Sequence, residues 1–360
     1  MLADQLPDFP WDLLQPAAKL AAAHPAGLID LSVGTPVDSV ATEIQSAAAA
    51  ALDAHSYPLT AGTTQLVAAQ KTWLANVAQA DATNLATIPT IGSKEAVALL
   101  PLLLGLTKGA RVAIPTLAYP TYAVGAQAVG ASVVLADLPN QLTDSVDLVW
   151  LNSPSNPTGS VLTEAELKSW IEYARDTKTI VASDECYLTL GWDVTPVSIL
   201  NSKLTGGNCE YLIALHSLSK RSSLAGYRAA AISGDQKLVS GILQARKHLG
   251  LITPTPSQAA ATAAWLDEAH AKAQRTVYEN RRKVMQPAFT AAGFEVVASA
   301  AGLYLWLTRN EDCWQSVTWL AERGVLVAPG IFYGEAGAEF VRAAMTETDE
   351  KINQLAQRLM

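Results

Sequence analysis

What the 360-residue sequence lacks narrows its function first. Its three cysteines, Cys186, Cys209 and Cys313, are scattered and show no CxxC spacing, which excludes a disulfide frame and a cysteine-built zinc site. No metal ligand set is expected. Basic residues are outnumbered, 25 Lys and Arg against 33 Asp and Glu, for a net charge of −8. No run of five like charges interrupts that balance, so neither nucleic acid nor an anionic membrane is an expected partner. The longest apolar stretch, 96-AVALLPLLLGL-106, is broken by Pro101 and too short to span a bilayer. The opening MLADQLPDFPWDLLQP has acids and prolines where a signal peptide would have basic then apolar residues, and a cytoplasmic protein is expected. There is no internal repeat and no low-complexity linker.

What is present is a well-packed globular composition, 50% hydrophobic and only 16% charged. Residues 1–30 read as a Pro-punctuated lead-in with one short helix near 13–23, followed by a short strand and a Gly/Pro turn in 29-IDLSVGTP-36. Residues 39–54 and 64–79 are Ala-rich and helical in period. Beyond residue 88, short β runs at 111–115, 132–137, 147–154, 179–185, 210–217 and 229–234 alternate with helices at 93–106, 119–129 and 163–176. Thr163 and Glu166 form a capping box for the last helix. Such alternation predicts an α/β fold with a mostly parallel sheet covered by helices on both faces. A long helical stretch over 257–292 then leads to strands at 294–299, 302–307, 325–330 and 339–345. The expected division is a large domain over 31–240 and a smaller α+β domain made of 1–30 and 241–360.

Four polar groups follow apolar strand runs: Asn156 in 152-NSPSNPTG-159, Asp184 in 180-IVASDECY-187, Lys220 in 213-IALHSLSK-220 and, slightly on, Arg228. In a parallel sheet, ligand groups collect at the carboxyl ends of strands, so these four could converge. The segment 92-GSKEA-96 opens a helix and offers backbone N–H groups to an anion. Ser217 and Ser219 add hydroxyls beside the lysine, and Arg228 adds a fork suited to phosphate oxygens. A phosphorylated carbonyl compound, trapped by a lysine and partnered by an aspartate, describes pyridoxal 5'-phosphate (PLP).

SNPTG, DECY, SLSK and GYR, in that order and spacing, make the chain similar to class I/II aminotransferases of the aspartate aminotransferase superfamily, from about residue 28 to the end. The resemblance implies the PLP-dependent transferase fold and assigns roles. Lys220 would bond to the cofactor and then act as general base, which requires part of it to be unprotonated. Asp184 would pair with the ring nitrogen, and Asn156 and Tyr187 with the ring hydroxyl. Ser93, Lys94 (by its backbone), Ser217, Ser219 and Arg228 would hold the phosphate, and Tyr119 would stack on the ring. Arg342, helped by the Gly34 backbone, would grip the substrate α-carboxylate. Tyr57 would reach the phosphate in the partner subunit, implying a homodimer.

Plainer readings stand beside these. Arg342 could be a surface salt bridge and Tyr119 a half-buried aromatic. Cys186 reads as inert, and His216 and His248 as structural.

Within the superfamily the chain looks most like N-succinyldiaminopimelate aminotransferases of the actinobacterial type, in lysine biosynthesis. The stretches 28-LIDLSVGTPVD-38, 90-TIGSKEAVALLPLLLGL-106 and 325-VLVAPGIFYGEAGAEFVRAA-344 support this. Substrates with a second carboxylate call for a further cation, with Arg221, Lys94, Arg246 and Lys247 as candidates. The rival readings are an aminotransferase for another acidic or aromatic amino acid, a PLP β-lyase, and the ligand-sensing domain of a transcription regulator. The last is disfavoured because only about 30 residues, acidic rather than basic, precede the matching region.

Overall fold

In a computed structural model, Asp4 and residues 6–360 are described. The strands in chain order are β1 (Ile29–Asp30), β2 (Ala86–Ile91), β3 (Arg111–Ile114), β4 (Ser132–Leu135), β5 (Leu148–Asn152), β6 (Ile180–Asp184), β7 (Leu212–Ser217) and β8 (Ala229–Gly234). After them come β9 (Glu295–Ala298), β10 (Tyr304–Thr308), β11 (Val325–Leu326), β12 (Ala328–Pro329) and β13 (Phe340–Ala344). Seven strands form the large sheet in the order β2-β8-β7-β6-β5-β3-β4. All neighbours from β7 to β4 are parallel, while β8 runs antiparallel to both β7 and β2.

Side chains of the central strands alternate between two cores, as a period of two requires. Val149, Leu151, Val181, Leu212 and Ala214 enter one, and Leu148, Trp150, Ala182, Ile213 and Leu215 enter the other. Burial on both faces is why these strands read as unbroken apolar runs. The expected capping box is present: Glu166 N donates to Thr163 Oγ1 at 3.2 Å and Thr163 N to Glu166 Oε2 at 2.7 Å, opening the helix Glu164–Thr177.

Three features differ from the sequence reading. β2 was not expected, because Pro89 interrupts its pattern. It is an edge strand, where a residue without an N–H is tolerated. The stretch 257–292 is two helices, Thr255–Leu266 and Glu268–Ala291, separated by the extended Asp267, whose carboxylate accepts from the Ala269 and His270 N–H groups. Residues 241–266, expected with the small domain, pack on the large sheet instead. Ile242 lies in one of its cores, and Ala260, Ala261, Ala264 and Trp265 lie in the other. We therefore place the boundary near Asp267.

The second body centres on the sheet β12-β13-β10-β9. The N-terminal segment joins it through β1, which pairs in parallel with β11, and through buried Leu14, Ala21 and Leu31. No helix of the described residues is long and apolar enough to cross a membrane.

Candidate active site

A cavity of about 510 Å³ opens where the carboxyl ends of β5, β6 and β7 meet the small body. Register explains the convergence: Asn152 ends β5 beside Asp184 at the end of β6, and Ser217 ends β7. β8 is antiparallel, so its first residues pair with Ser217 and bring Arg228 to the same edge. β2 is antiparallel to β8 and points the Gly92–Ser93 helix start there too.

Asp184 is buried. Its Oδ2 accepts from Tyr122 OH at 2.9 Å and its Oδ1 from Cys186 N at 3.2 Å. Burial pushes its carboxyl above the usual range, against the pull of the Cys186 and Tyr122 hydrogen bonds. A cationic ring N–H would relieve that cost. Lys220 donates its Nζ to the Gly34 carbonyl. Burial, then the nearby Arg342 and Arg228 charges, push the amine down to about 8, so a usable fraction is neutral near physiological pH.

Arg342, on β13, is buried beneath Tyr304, its guanidinium carbon 3.9 Å from the ring centre. Nη1 donates to Asn156 Oδ1 at 2.8 Å and Nη2 to the Ser32 carbonyl at 2.5 Å, while Nε is buried without a partner. Among the described residues no carboxylate pairs with it. A buried, permanent cation held only by neutral oxygens is an incomplete site for an anion. Asn156 is itself fixed by Asn152, whose Oδ1 accepts from the Asn156 N–H at 2.7 Å.

Gly92 has φ 74°, and a Cβ there would run into the Arg228 guanidinium. Only glycine leaves that space beside Ser93, Ser217, Ser219 and the Ser93–Leu103 helix start. Tyr119 and Tyr187 also line the cavity; burial pushes the Tyr119 hydroxyl up to about 12, and Tyr187 OH lies 3.0 Å from Tyr304 OH. Lys94 lies at the rim, its Nζ 5.3 Å from the Phe9 ring centre.

Three residues expected or offered as candidates for the site are elsewhere. Arg221 is buried on the far side of the lysine turn, where Nη2 donates to Glu268 Oε1 at 2.5 Å and the guanidinium lies 5.3 Å from the Trp73 ring and 5.6 Å from Trp265. On a helical turn the residue after Lys220 points about 100° away from it, so the distal-carboxylate role expected of Arg221 is corrected to a structural one. Arg246 is likewise buried, paired with Glu95 at 2.8 Å. Tyr57 is 96% exposed and does not line the cavity.

Sequence reasoning missed Tyr122, Asn152, Tyr304, Phe9 and Trp11, all of which line the cavity. Tyr122 had a signal: it stands three residues after Tyr119 at the start of a helix, on the same face. The others depend on tertiary approach.

The donor set fits PLP. A buried carboxylate, a lysine with a lowered pKa, a guanidinium with hydroxyls beside a glycine-cleared helix start, and a second unneutralised guanidinium share one cavity. Bound there, the cofactor supplies an electrophilic carbon and an electron-withdrawing ring.

Known proteins agree with this fold. The profile of the family Aminotransferase class I and II matches residues 26–359. The chain is 49% identical to the 4-dedimethylamino-4-oxo-anhydrotetracycline transaminase OxyQ of Streptomyces rimosus, covering 99% of each chain. It is 52% identical to the probable aminotransferase Rv1178 of Mycobacterium tuberculosis, over 98% of this chain and 85% of the relative. Among solved structures, an aminotransferase of Neisseria meningitidis superposes with a TM-score of 0.89 at 27% identity, covering 100% of this chain and 98% of that one. The chain belongs to the class I and II aminotransferases, a family that depends on pyridoxal 5'-phosphate.

Proposed function

We propose that the chain transfers an amino group between glutamate and N-succinyl-2-amino-6-oxopimelate, the succinyldiaminopimelate transaminase step of lysine and diaminopimelate biosynthesis, as a cytoplasmic homodimer. The reading rests chiefly on one observation. Arg342 presents a buried charge without a counter-ion in the same cavity as a lysine whose amine is held near neutrality. Arg342 and the Gly34 backbone bind the α-carboxylate, which sets the Cα–H bond toward Lys220. Lys220 takes and returns that proton. Asp184 would hold a proton on the ring nitrogen, Asn156 and Tyr187 would hydrogen-bond the ring hydroxyl, and Tyr119 would pack on the ring. Ser93, the Lys94 backbone, Ser217, Ser219 and Arg228 would bind its phosphate, with Tyr57 of a second copy reaching across to it.

Both proposed substrates have a second carboxylate. With Arg221 and Arg246 paired elsewhere, a role for Lys94 in meeting it is supported by its place among the lining residues. A second reading, a bulkier and flatter ketone as amino acceptor, is favoured by the identity to OxyQ and by the aromatic rings of Phe9 and Trp11 at the mouth.

The test is a panel of half-reactions. Enzyme converted to its amino form by glutamate is mixed with succinylated and unsuccinylated oxo acids and with a polycyclic ketone, and the return of the cofactor absorbance is timed. Fastest return with the succinylated acid supports the first reading. Return only with the polycyclic ketone replaces it with the second. No conversion by glutamate overturns both.

A further inference from the structure

The turn that bears Lys220 has little support of its own. Its helix, Leu218–Arg221, is four residues long, far below the length at which a helix is stable alone. Ser223 and Arg228, with φ of 53° and 55°, both lie in the left-handed region. Leu218 and Leu224 anchor the turn in the large core, and its side-chain hydrogen-bond partners from outside, the lysine amine's apart, come from one helix, Glu268–Ala291. Tyr278 OH donates to the Lys220 carbonyl at 3.2 Å, and Ser223 Oγ donates to Gln274 Oε1 at 3.4 Å. His270 Nε2 lies 2.8 Å from Ser222 Oγ, and Glu268 accepts from Arg221. His270, Gln274 and Tyr278 recur every four residues and therefore share one stripe.

The same stripe holds the segment that meets the lysine amine from the other side. Gln274 Nε2 donates to Asp38 Oδ2 at 2.8 Å, and Arg281 donates to both Asp38 oxygens at 2.8 and 2.5 Å. Asp38 lies four residues after Gly34, whose carbonyl accepts from Lys220 Nζ. One helix face thus secures both the Lys220 backbone and the segment leading to the carbonyl that its side chain reaches. Gln274 binds both, with one amide atom to each.

We propose that Gln274 and Tyr278 are positioning residues for Lys220: they fix the lysine turn relative to the Gly34 segment and so set whether the amine rests on the Gly34 carbonyl or is directed into the cavity. Neither lines the cavity, so neither touches substrate or cofactor. The charged and titratable groups that face the amine are Arg342, Cys186 and Arg228. The proposal rests on the reading of Lys220 as the cofactor-bearing residue.

The experiment compares wild-type holoenzyme with Tyr278→Phe and Gln274→Leu. In the wild type, borohydride reduction must fix the cofactor to Lys220; its absence overturns the underlying reading and this one with it. In each variant, kcat of the glutamate half-reaction is expected to fall roughly ten- to hundredfold, the cost of a misplacement of about 1 Å. KM for glutamate should stay within about twofold, given that Arg342 is untouched. The pH midpoint of the bound-cofactor absorbance should shift, with wild-type melting temperature and cofactor retention. Wild-type kcat and midpoint in both variants would overturn the proposal. So would losses of kcat that merely track losses of melting temperature and retention.

Discussion

The two walls of the cavity are built in different ways. The sheet wall, with Asn152, Asp184, Ser217, Lys220 and Arg228, comes from neighbouring strand ends and the turns just after them, each set by backbone register. The opposing wall joins β10 and β13 to a lead-in about 270 to 310 residues distant in sequence: Arg342 bonds to the Ser32 carbonyl, and a Cβ on Gly34 would run into the Tyr304 hydroxyl. The first wall places groups by register and carries the proton chemistry. The second places them by packing between distant segments and grips the anion.

Breaking the sheet wall should cost most. Lys220→Ala is expected to lower the glutamate half-reaction by at least about 10³-fold, within the range for loss of a general base. Asp184→Ala should cost roughly 10²–10³-fold, as when one preorganised electrostatic partner is removed. Stopped-flow absorbance measures both, and a drop below about tenfold for Asp184→Ala contradicts its role. Breaking the opposing wall should act on binding. Arg342→Leu removes hydrogen bonds to a charged group, each worth about 1.5–3 kcal/mol, and should lower kcat/KM for glutamate at least roughly tenfold, mainly through KM.

Gly92→Ala sharpens the comparison, since it alters only the phosphate end. The added methyl displaces the Arg228 guanidinium, and cofactor affinity measured by equilibrium dialysis should fall roughly tenfold, the loss of one charge-assisted contact. The smallest functional effect is expected for Arg221→Met. Preference between succinylated and unsuccinylated acceptors should stay unchanged in the half-reaction panel. Stability in urea should fall by about 1–3 kcal/mol, because Glu268 loses its partner.

The same contrast governs what the sequence made legible. On the sheet wall, an apolar run followed by Asp or Lys is a local pattern, and the parallel sheet, its helices, Asp184 and Lys220 were readable from it, whereas Asn152, which fixes Asn156, was not. Pro89 hid β2 because strand propensity carries no information about which strand lies at an edge. Asp267 was hidden because helical periodicity continues on both sides of it, and only the packing of Trp265 on the large sheet and Tyr278 in the small body separates the two helices. Arg221 looked functional by adjacency to Lys220, yet adjacency on a turn means opposite directions. Tyr304, Phe9 and Trp11 became site residues only through long-range closure, which no local pattern encodes.

The most direct test of the account is the rate at which apoprotein captures PLP covalently between pH 6 and 10, with borohydride fixation and peptide mapping to locate the bond. Only the neutral amine reacts, so an amine held near pH 8 should place all label on Lys220, at a rate that climbs with pH and levels off above about 8. Label on another residue, or a rate still climbing past pH 10 as for an unperturbed lysine, would contradict it.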